Sequence, residues 1–314
     1  MNFRRYEEGF QSLKDPEVEH MIAQADKMMG KPARMLIAQA GLDHSTTTDF
    51  SLLDHGCGTG LIASCLQEVI QPSVLSKSRT LCVDINARFV DILLQRARRD
   101  QWINVEAAVL DAQDSGLPKH SFSHVTINFA MHIIPDPAAV LRGKPSSSAP
   151  WLLDNLTITK QDTLRILRPG GLLAFSVPHA NNGHDGGWVP DLRSALESLP
   201  FQTSFPNPMP VSLHGKPEWV ESKGIEAELI RHGFVDVKIE TVDSIHPVAN
   251  AEGFLASFGM MVKWIMNTYW TVEQKEQYQD DFYKILVEHL RIKHGGKGWD
   301  LKSTAILVTA RTPQ

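Results

Sequence analysis

Leu52-Leu53-Asp54-His55-Gly56-Cys57-Gly58-Thr59-Gly60 is the stretch on which the fold turns: a short apolar run ends in an acid, and glycine then stands at every second position. The run reads as a strand, the glycines as a tight turn, and Leu61 to Val69 as the helix that follows. Glycine suits such a turn because a residue without Cβ takes positive φ and lets a ligand come close to the backbone. The helix start presents free N–H groups to whatever occupies the turn, so the stretch is a nucleotide site before it is anything more specific. A dinucleotide fingerprint, GxGxxG/A, aligned on Gly56 and Gly58 wants Gly or Ala at position 61, and this chain has Leu61.

What stands here is DxGxGxG, which resembles motif I of the class I S-adenosylmethionine (SAM)-dependent methyltransferases. The chemistry is consistent with that likeness. SAM carries no pyrophosphate to seat on a helix dipole; its methionine end is cationic, and Asp54 beside bare glycine backbone suits it. The resemblance implies that Asp54, Gly56, Cys57, Gly58 and Gly60 hold the cofactor.

After this turn the chain repeats the strand–helix rhythm of a doubly wound parallel sheet. Thr80 to Val83 reads as a second strand ending at Asp84, with a helix from Asn86 to Arg99. An acid at that strand end can accept from both ribose hydroxyls, although NAD enzymes place an acid similarly. Asp84 and Ile85 are therefore cofactor candidates. The third strand, Val105 to Leu110, runs into Asp111-Ala112-Gln113 and Leu117-Pro118, similar to the family's DAxxLP segment. The resemblance gives Asp111 the adenine amino group and Ala112 the ring edge; as a bare sequence feature Asp111 is also a good turn former. The fourth strand, Val125 to Asn128, leads into Phe129-Ala130-Met131-His132, and in the family this strand end lies beneath the methionine portion, which implicates Asn128 and Phe129. His132 is the candidate catalytic base, since a neutral imidazole can take a proton from a substrate hydroxyl or thiol. A histidine that merely packs there is the competing reading.

The helix beginning at Pro135 to Arg142 is interrupted. Gly143 to Gln161 carries three serines and two prolines, and with it removed Leu141, Leu164 and Leu167 fall at i, i+4 and i+7 on one helical face. Residues 143–161 are read as an insertion or as a retained intron in the gene model. Arg168-Pro169-Gly170-Gly171 is the turn the family places before its fifth strand, here Leu172 to Val177. A helix from Glu218 to Arg231, a sixth strand from Val235 to Val242 and a seventh, antiparallel strand from Thr304 to Ala310 complete the expected order 3-2-1-4-5-7-6. The expectation is thus an α/β, Rossmann-like, seven-stranded sheet in a single domain spanning residues 1–314, with a SAM-binding core over 48–178.

The N-terminal part, 1–47, reads as two helices broken between Gly30 and Pro32; the resemblance implies a helical lid over the cofactor, to which Tyr6 or Phe10 contributes, and the competing reading is that these helices simply cover one face of the sheet. Residues 179–217 and 244–303 are expected to form a substrate cap. Phe254, Phe258, Met260, Met261, Trp264, Ile265, Met266, Tyr269 and Trp270 recur there at helical spacing. Such a stripe reads first as core and second as an apolar pocket wall. Gly298-Trp299 and the Trp219 region resemble the small-molecule methyltransferases of fungal secondary metabolism, including the gliotoxin S-methyltransferase group.

Composition narrows the class. With 314 residues, 42% of them apolar, the chain can bury a full core. A net charge of −5 without a basic block disfavours a nucleic-acid partner. No apolar stretch long enough to cross a membrane occurs, and a cytoplasmic location is expected. Cys57, Cys65 and Cys82 lack metal-type spacing and read as reduced, buried thiols, and no metal site is expected. The function expected is transfer of a methyl group from SAM to a small molecule by in-line displacement. The competing classes are an NAD(P)-dependent oxidoreductase and an inactive methyltransferase-like regulator.

Overall fold

The computed structural model describes residues 15–142 and 162–314. The expected contributions of Tyr6 and Phe10, and the insertion at 143–161, lie outside the described residues. In chain order the elements are α1 (Asp15–Gln39), β1 (Ser51–His55), α2 (Leu61–Val69), α3 (Pro72–Leu75), β2 (Arg79–Asp84), α4 (Ala87–Arg99), β3 (Val105–Val109), β4 (Phe122–Asn128), α5 (Pro137–Arg142), α6 (Asp162–Ile166) and β5 (Leu167–Pro178). They continue with α7 (Val189–Leu196), α8 (Ser222–Arg231), β6 (Val235–Val248), α9 (Ala251–Tyr269), α10 (Val272–Lys293) and β7 (Trp299–Arg311), with 3₁₀ turns at Ala180–Gly183 and Pro217–Val220.

The strands form one seven-stranded sheet in the order β3-β2-β1-β4-β5-β7-β6. β1 pairs in parallel with β2 (Leu53 opposite Leu81) and with β4 (Leu53 opposite Val125). β2 pairs in parallel with β3, and β4 with β5. β7 runs against β5: Gly170 N–H donates to Pro313, and Thr312 N–H to Gly171, so the numbering of one strand falls as the other rises. The order and the reversed last strand are those the sequence predicts.

The chain divides into two compact units. The described part of the larger comprises residues 15–142, 162–177, 212–242 and 306–314 and holds the central strands. Its sheet is buried on both faces, which explains why β1 and β5 read as continuous apolar runs. Leu53, Val83, Val125, Ile127, Leu173 and Phe175 pack with Trp219, Leu229, Ile306 and Val308 on one side. Their neighbours Leu52, Leu172, Ala174 and Leu307 pack with Leu36, Ile37, Ile62 and Leu66 on the other. Strand periodicity thus sends adjacent residues to opposite faces.

Two local expectations are corrected. The region of Gly30 to Pro32 does not end a helix: α1 is one helix with Pro32 inside it. Proline removes a single main-chain hydrogen bond there, and burial of Ala33, Leu36 and Ile37 holds the helix on the sheet across that defect. The Arg168–Gly171 turn does not precede β5 but lies within it, as an irregularity between the pairs Phe122–Leu167 and His124–Leu172, with Gly170 at φ 69°. β6 and β7 are also longer than the expected strands.

The described part of the smaller unit comprises residues 178–211 and 243–305. Phe254, Phe258, Val262, Ile265 and Met266 form the buried stripe of α9, as the sequence spacing predicts for a core face. A capping box starts α10: Gln274 N–H donates to the Thr271 hydroxyl (3.2 Å) and Thr271 N–H to the Gln274 side chain (2.9 Å). Asp191 on α7 ties α10 and β7 together. It accepts from Trp299 Nε1 (2.8 Å), His294 Nε2 (3.0 Å) and Lys293 Nζ (2.8 Å), while the His294 ring stacks on Trp299 at 3.9 Å.

Candidate active site

The site is built at the carboxyl ends of β1, β2, β3 and β4, where an open parallel sheet leaves its crevice. β1 ends in Asp54 and His55, and the chain then turns through Gly56, Gly58 and Gly60, all at positive φ. Two of these glycines have distinct reasons. A Cβ on Gly56 stands 2.9 Å from the Ala130 Cβ, so glycine lets the loop after β1 lie against the end of β4. A Cβ on Gly58 meets nothing within 4 Å: the backbone there faces open space.

The loop is braced on every side. Cys57 N–H donates to Val83 (3.1 Å), and Gly60 N–H closes the turn onto Cys57 (2.9 Å). Gly58 N–H donates to Asp84 Oδ2 (2.9 Å). From behind, Arg96 Nη1 donates to the Thr59 carbonyl (2.5 Å) with its guanidinium over the Trp102 ring, 5.2 Å from the centroid. Sequence reading missed Arg96, whose position in the basic last turn of α4 looks like a solvated face.

The two acids of the site differ. Asp54 is buried, its Oδ1 accepts from the Thr126 hydroxyl (2.7 Å), and its Oδ2 has no partner. Burial pushes its pKa up to about 7; the Thr126 hydroxyl opposes this and the Asp84 charge adds to it. Asp84 Oδ2 takes the Gly58 amide and its Oδ1 the Asn86 amide (2.9 Å each). Burial raises its pKa too, against the amides of Asn86, Gly58 and Ile85. Each of its oxygens keeps acceptor capacity for a further donor. The neighbouring Ile85 is 56% exposed, a large apolar side chain left at the mouth of the crevice.

The end of β3 joins this group through Leu110 N–H, which donates to the Asp84 carbonyl (3.1 Å). Asp111 is engaged as a turn former: its Oδ1 accepts from Gln113 N–H (2.8 Å) and Gln113 Nε2 (3.2 Å). Ala112 is half-buried against the main core. At the end of β4, Asn128 Oδ1 accepts from the Ser176 hydroxyl (2.8 Å), and Phe129 N–H donates to the Ser176 carbonyl (3.0 Å). Phe129 sits at φ 51°, a left-handed conformation that bulky residues adopt at a cost and that concentrates at functional sites. Thr126 and Ser176 became visible only through strand pairing.

His132 follows on the turn after β4. Burial pushes its pKa down to about 3, so the ring is neutral, and its Nδ1 is buried without a partner. The segment Leu213-His214 clamps this turn: Leu213 N–H donates to the His132 carbonyl (3.0 Å), and His214 Nε2 bonds the Ile133 carbonyl (3.1 Å). The thiols take no part in such chemistry. Cys57, Cys65 and Cys82 are all free and buried, and burial raises the Cys57 thiol well above its usual range and that of Cys65 to about 12. Among the described residues no group of three or more His, Cys, Asp or Glu is placed to hold a metal ion.

The residues present fit a cationic nucleoside. An unpartnered carboxylate oxygen, a glycine facing open space, a second acid with spare acceptor capacity and an exposed isoleucine stand together at one sheet end.

Comparison with known proteins agrees. A family model described as a methyltransferase domain matches residues 52–143. The methyltransferase tpcH of Aspergillus fumigatus is 30% identical over 90% of this chain and 91% of its own. The acetylaranotin bis-thiomethyltransferase of Aspergillus terreus is 24% identical over 92% of each chain. Among solved structures, the YcgJ protein of Bacillus subtilis shares the fold at 14% identity and a TM-score of 0.51, over 90% of this chain and 99% of its own.

Proposed function

This chain belongs to the SAM-dependent methyltransferases, in the family of the Aspergillus fumigatus enzyme, and from that premise we propose that it methylates a secondary metabolite in the cytoplasm. The observation that carries the site assignment is the Asp54 carboxylate, buried with one oxygen unpartnered beside a glycine that faces open space.

In this reading Asp54, Gly56, Cys57, Gly58 and Gly60 cradle the methionine end of the cofactor. Asp84 accepts from the ribose hydroxyls with the lone pairs its amide partners leave free. Ile85, Asp111 and Ala112 receive the adenine, and Asn128 and Phe129 form the floor beneath the sulfur. When bound, SAM supplies an electrophilic methyl on a sulfonium, so the protein's work is alignment and exclusion of water. Alignment of that kind supplies roughly 7–11 kcal/mol where geometry is near ideal. The left-handed Phe129 supports the floor assignment, since the Asn128–Ser176 and Phe129–Ser176 hydrogen bonds hold a conformation that the chain would otherwise leave.

His132 is the candidate base, and its environment sets what it can do. With its pKa near 3 it is neutral at pH 7 and can accept a hydrogen bond. Taking a proton outright from a thiol or phenol is uphill by about five to seven pKa units. His132 therefore orients the nucleophile's proton, and full transfer follows methyl transfer, which suits an acidic acceptor. No helix of the described residues is long and apolar enough to cross a membrane, and the three free cysteines suit a reducing compartment. The charge of −5 supports a reading without a nucleic-acid partner.

The test is to incubate the protein with SAM labelled in its methyl group and a metabolite extract of a producing fungus, and to follow the label by mass spectrometry. Label in a small molecule, lost in Asp84→Ala, is the expected result. Binding of S-adenosylhomocysteine with no labelled product would refute the catalytic reading and leave a cofactor-binding regulator.

A further inference from the structure

The end of β4 carries an amide whose direction is fixed. Asn128 lies beside the glycine turn. Two residues before it, Thr126 stands opposite Asp54; two residues after it, the Ala130 Cβ lies 2.9 Å from where a Cβ on Gly56 would stand. Across the sheet Asn128 pairs with Ser176, which is fully buried. The Ser176 hydroxyl oxygen accepts from Phe129 N–H (3.1 Å), and its own proton goes to Asn128 Oδ1 (2.8 Å).

Burial of Ser176 rules against the reversed amide. With Nδ2 turned toward Ser176, the hydroxyl would accept twice and its proton would meet no acceptor among the described residues, and a buried donor left unmet costs stability. Asn128 Oδ1 is therefore occupied and Nδ2 is turned away from Ser176. Among the described residues Nδ2 has no hydrogen-bond partner. It is still accessible: Asn128 is only half-buried, and Nδ2 is not one of the polar atoms sealed in without a partner. The result is a pair of N–H donors, with no acceptor beside them on the same side chain, at the open end of the sheet.

The acids nearby are already engaged. Thr126 holds Asp54 Oδ1, the reading above gives Oδ2 to the cationic end of the cofactor, and Asp84 holds the Gly58 and Asn86 amides. In that reading Asn128 lies beneath the sulfonium, which gains nothing from a donor, so the partner is the atom that attacks. An oxygen or sulfur spends one lone pair on the new bond to the methyl carbon, while the carbon–sulfur bond breaks and leaves its electrons on the cofactor's sulfur. It keeps another pair for an N–H throughout. An amine nitrogen has only the pair it spends, and its protons would face a donor. His132 can accept a hydrogen bond from either kind and does not discriminate between them.

We infer that Asn128, held as a donor by Ser176, selects an oxygen or sulfur acceptor over an amine. Asn128 touches the acceptor, and Ser176 is a positioning residue that acts through it. The inference rests on the methyltransferase reading and adds the class of atom that is methylated.

The test uses phenol and aniline, which match in size, are both neutral at pH 7 and differ in the atom presented. Each is titrated by calorimetry into the whole chain saturated with S-adenosylhomocysteine. The wild type should bind phenol saturably and at least tenfold more tightly than aniline. Asn128→Asp keeps the shape and replaces the donor by an acceptor, so that ratio should fall at least tenfold. Ser176→Ala frees the amide to turn, and the ratio should fall at least threefold. A packing defect weakens both ligands and leaves their ratio, so the ratio reports the direction of the amide. No saturable binding of phenol or equal affinities on the wild type would each overturn the inference. So would a ratio unmoved by Asn128→Asp, the result expected if the amide served the cofactor's carboxylate instead. The wild-type ratio needs no variant, so a misfolded variant does not spare it. S-adenosylhomocysteine is also titrated alone: a wild type that binds it but shows no preference for phenol overturns only the acceptor class, whereas a wild type that does not bind it overturns the methyltransferase site itself.

Discussion

Replacing Asp54 by Asn removes a titration while keeping the shape of the side chain, and the structure says what that does. Burial pushes the Asp54 pKa from 3.8 up to about 7. Between those values the folded chain holds a proton that the unfolded chain has released. The contribution to stability is therefore greatest below about pH 4, declines as pH rises toward 7, and is level above it. A shift of about three units corresponds to a decline of about 4 kcal/mol. In Asp54→Asn the Oδ1 still accepts from the Thr126 hydroxyl, but an unpaired amide donor replaces Oδ2 at a cost of about 1–3 kcal/mol that does not vary with pH. The variant-minus-wild-type stability should thus rise by about 4 kcal/mol between pH 4 and pH 8, whatever its value at either end. Urea denaturation of both proteins across that range reads it directly, and contributions from other groups cancel in the difference. SAM binding reports the same carboxylate from the other side. A cationic ligand gives the ionised Oδ2 its missing partner, so wild-type affinity should strengthen by up to about tenfold per unit as pH rises toward 7, and Asp54→Asn should remove that dependence. Parallel stability curves, or the same pH dependence of SAM binding in both proteins, would refute the reasoning.

Other expectations are read off the same crevice. Asp84→Ala strips the acceptor from the Gly58 and Asn86 amides and should weaken SAM binding at least tenfold by calorimetry, about 1.4 kcal/mol. Gly58→Val puts a side chain into open space at φ 52°, so backbone strain of about 1–2 kcal/mol should be the whole loss in thermal stability, with SAM binding at least tenfold weaker. Gly60→Ala differs, because its Cβ meets Leu93 at 3.0 Å and Trp102 at 3.1 Å; there the melting temperature should fall further than for Gly58→Ala. With the His132 pKa near 3, the pH profile of kcat should show no histidine limb between pH 5 and 8; a limb near pH 6.5 that vanishes in His132→Gln would contradict the neutral ring.

Much of the site could be read along the chain because its parts are local. Leu52 to Gly60 encodes a strand end, a turn and a helix start within nine residues, and Asp84 and Asn86 mark a strand end and a helix cap. Each rests on a backbone requirement that glycine, aspartate or asparagine meets wherever it stands. The misread elements are those in which a local signal was overruled. Pro32 signals a break, but the burial of Ala33, Leu36 and Ile37 outweighs one lost hydrogen bond. Arg168 to Gly171 signals a turn, but pairing with β4 on either side absorbs it into β5 as an irregularity.

Residue order alone was enough for the alternation of strands and helices and for a glycine turn that can hold a nucleotide, since these follow from periodicity and from what a backbone can adopt next to its own neighbours; the class of ligand came from the resemblance of the DxGxGxG stretch to a known family's motif. Pairing between distant segments set the rest. It placed Thr126 against Asp54 and left the other carboxylate oxygen bare, bound Phe129 into a left-handed bend through Ser176, drew the His132 ring far enough out of water to keep it neutral, and set Arg193 over the Phe205 ring. Burial and the presence or absence of a partner are properties of the packed chain, and they govern charge state and therefore chemistry.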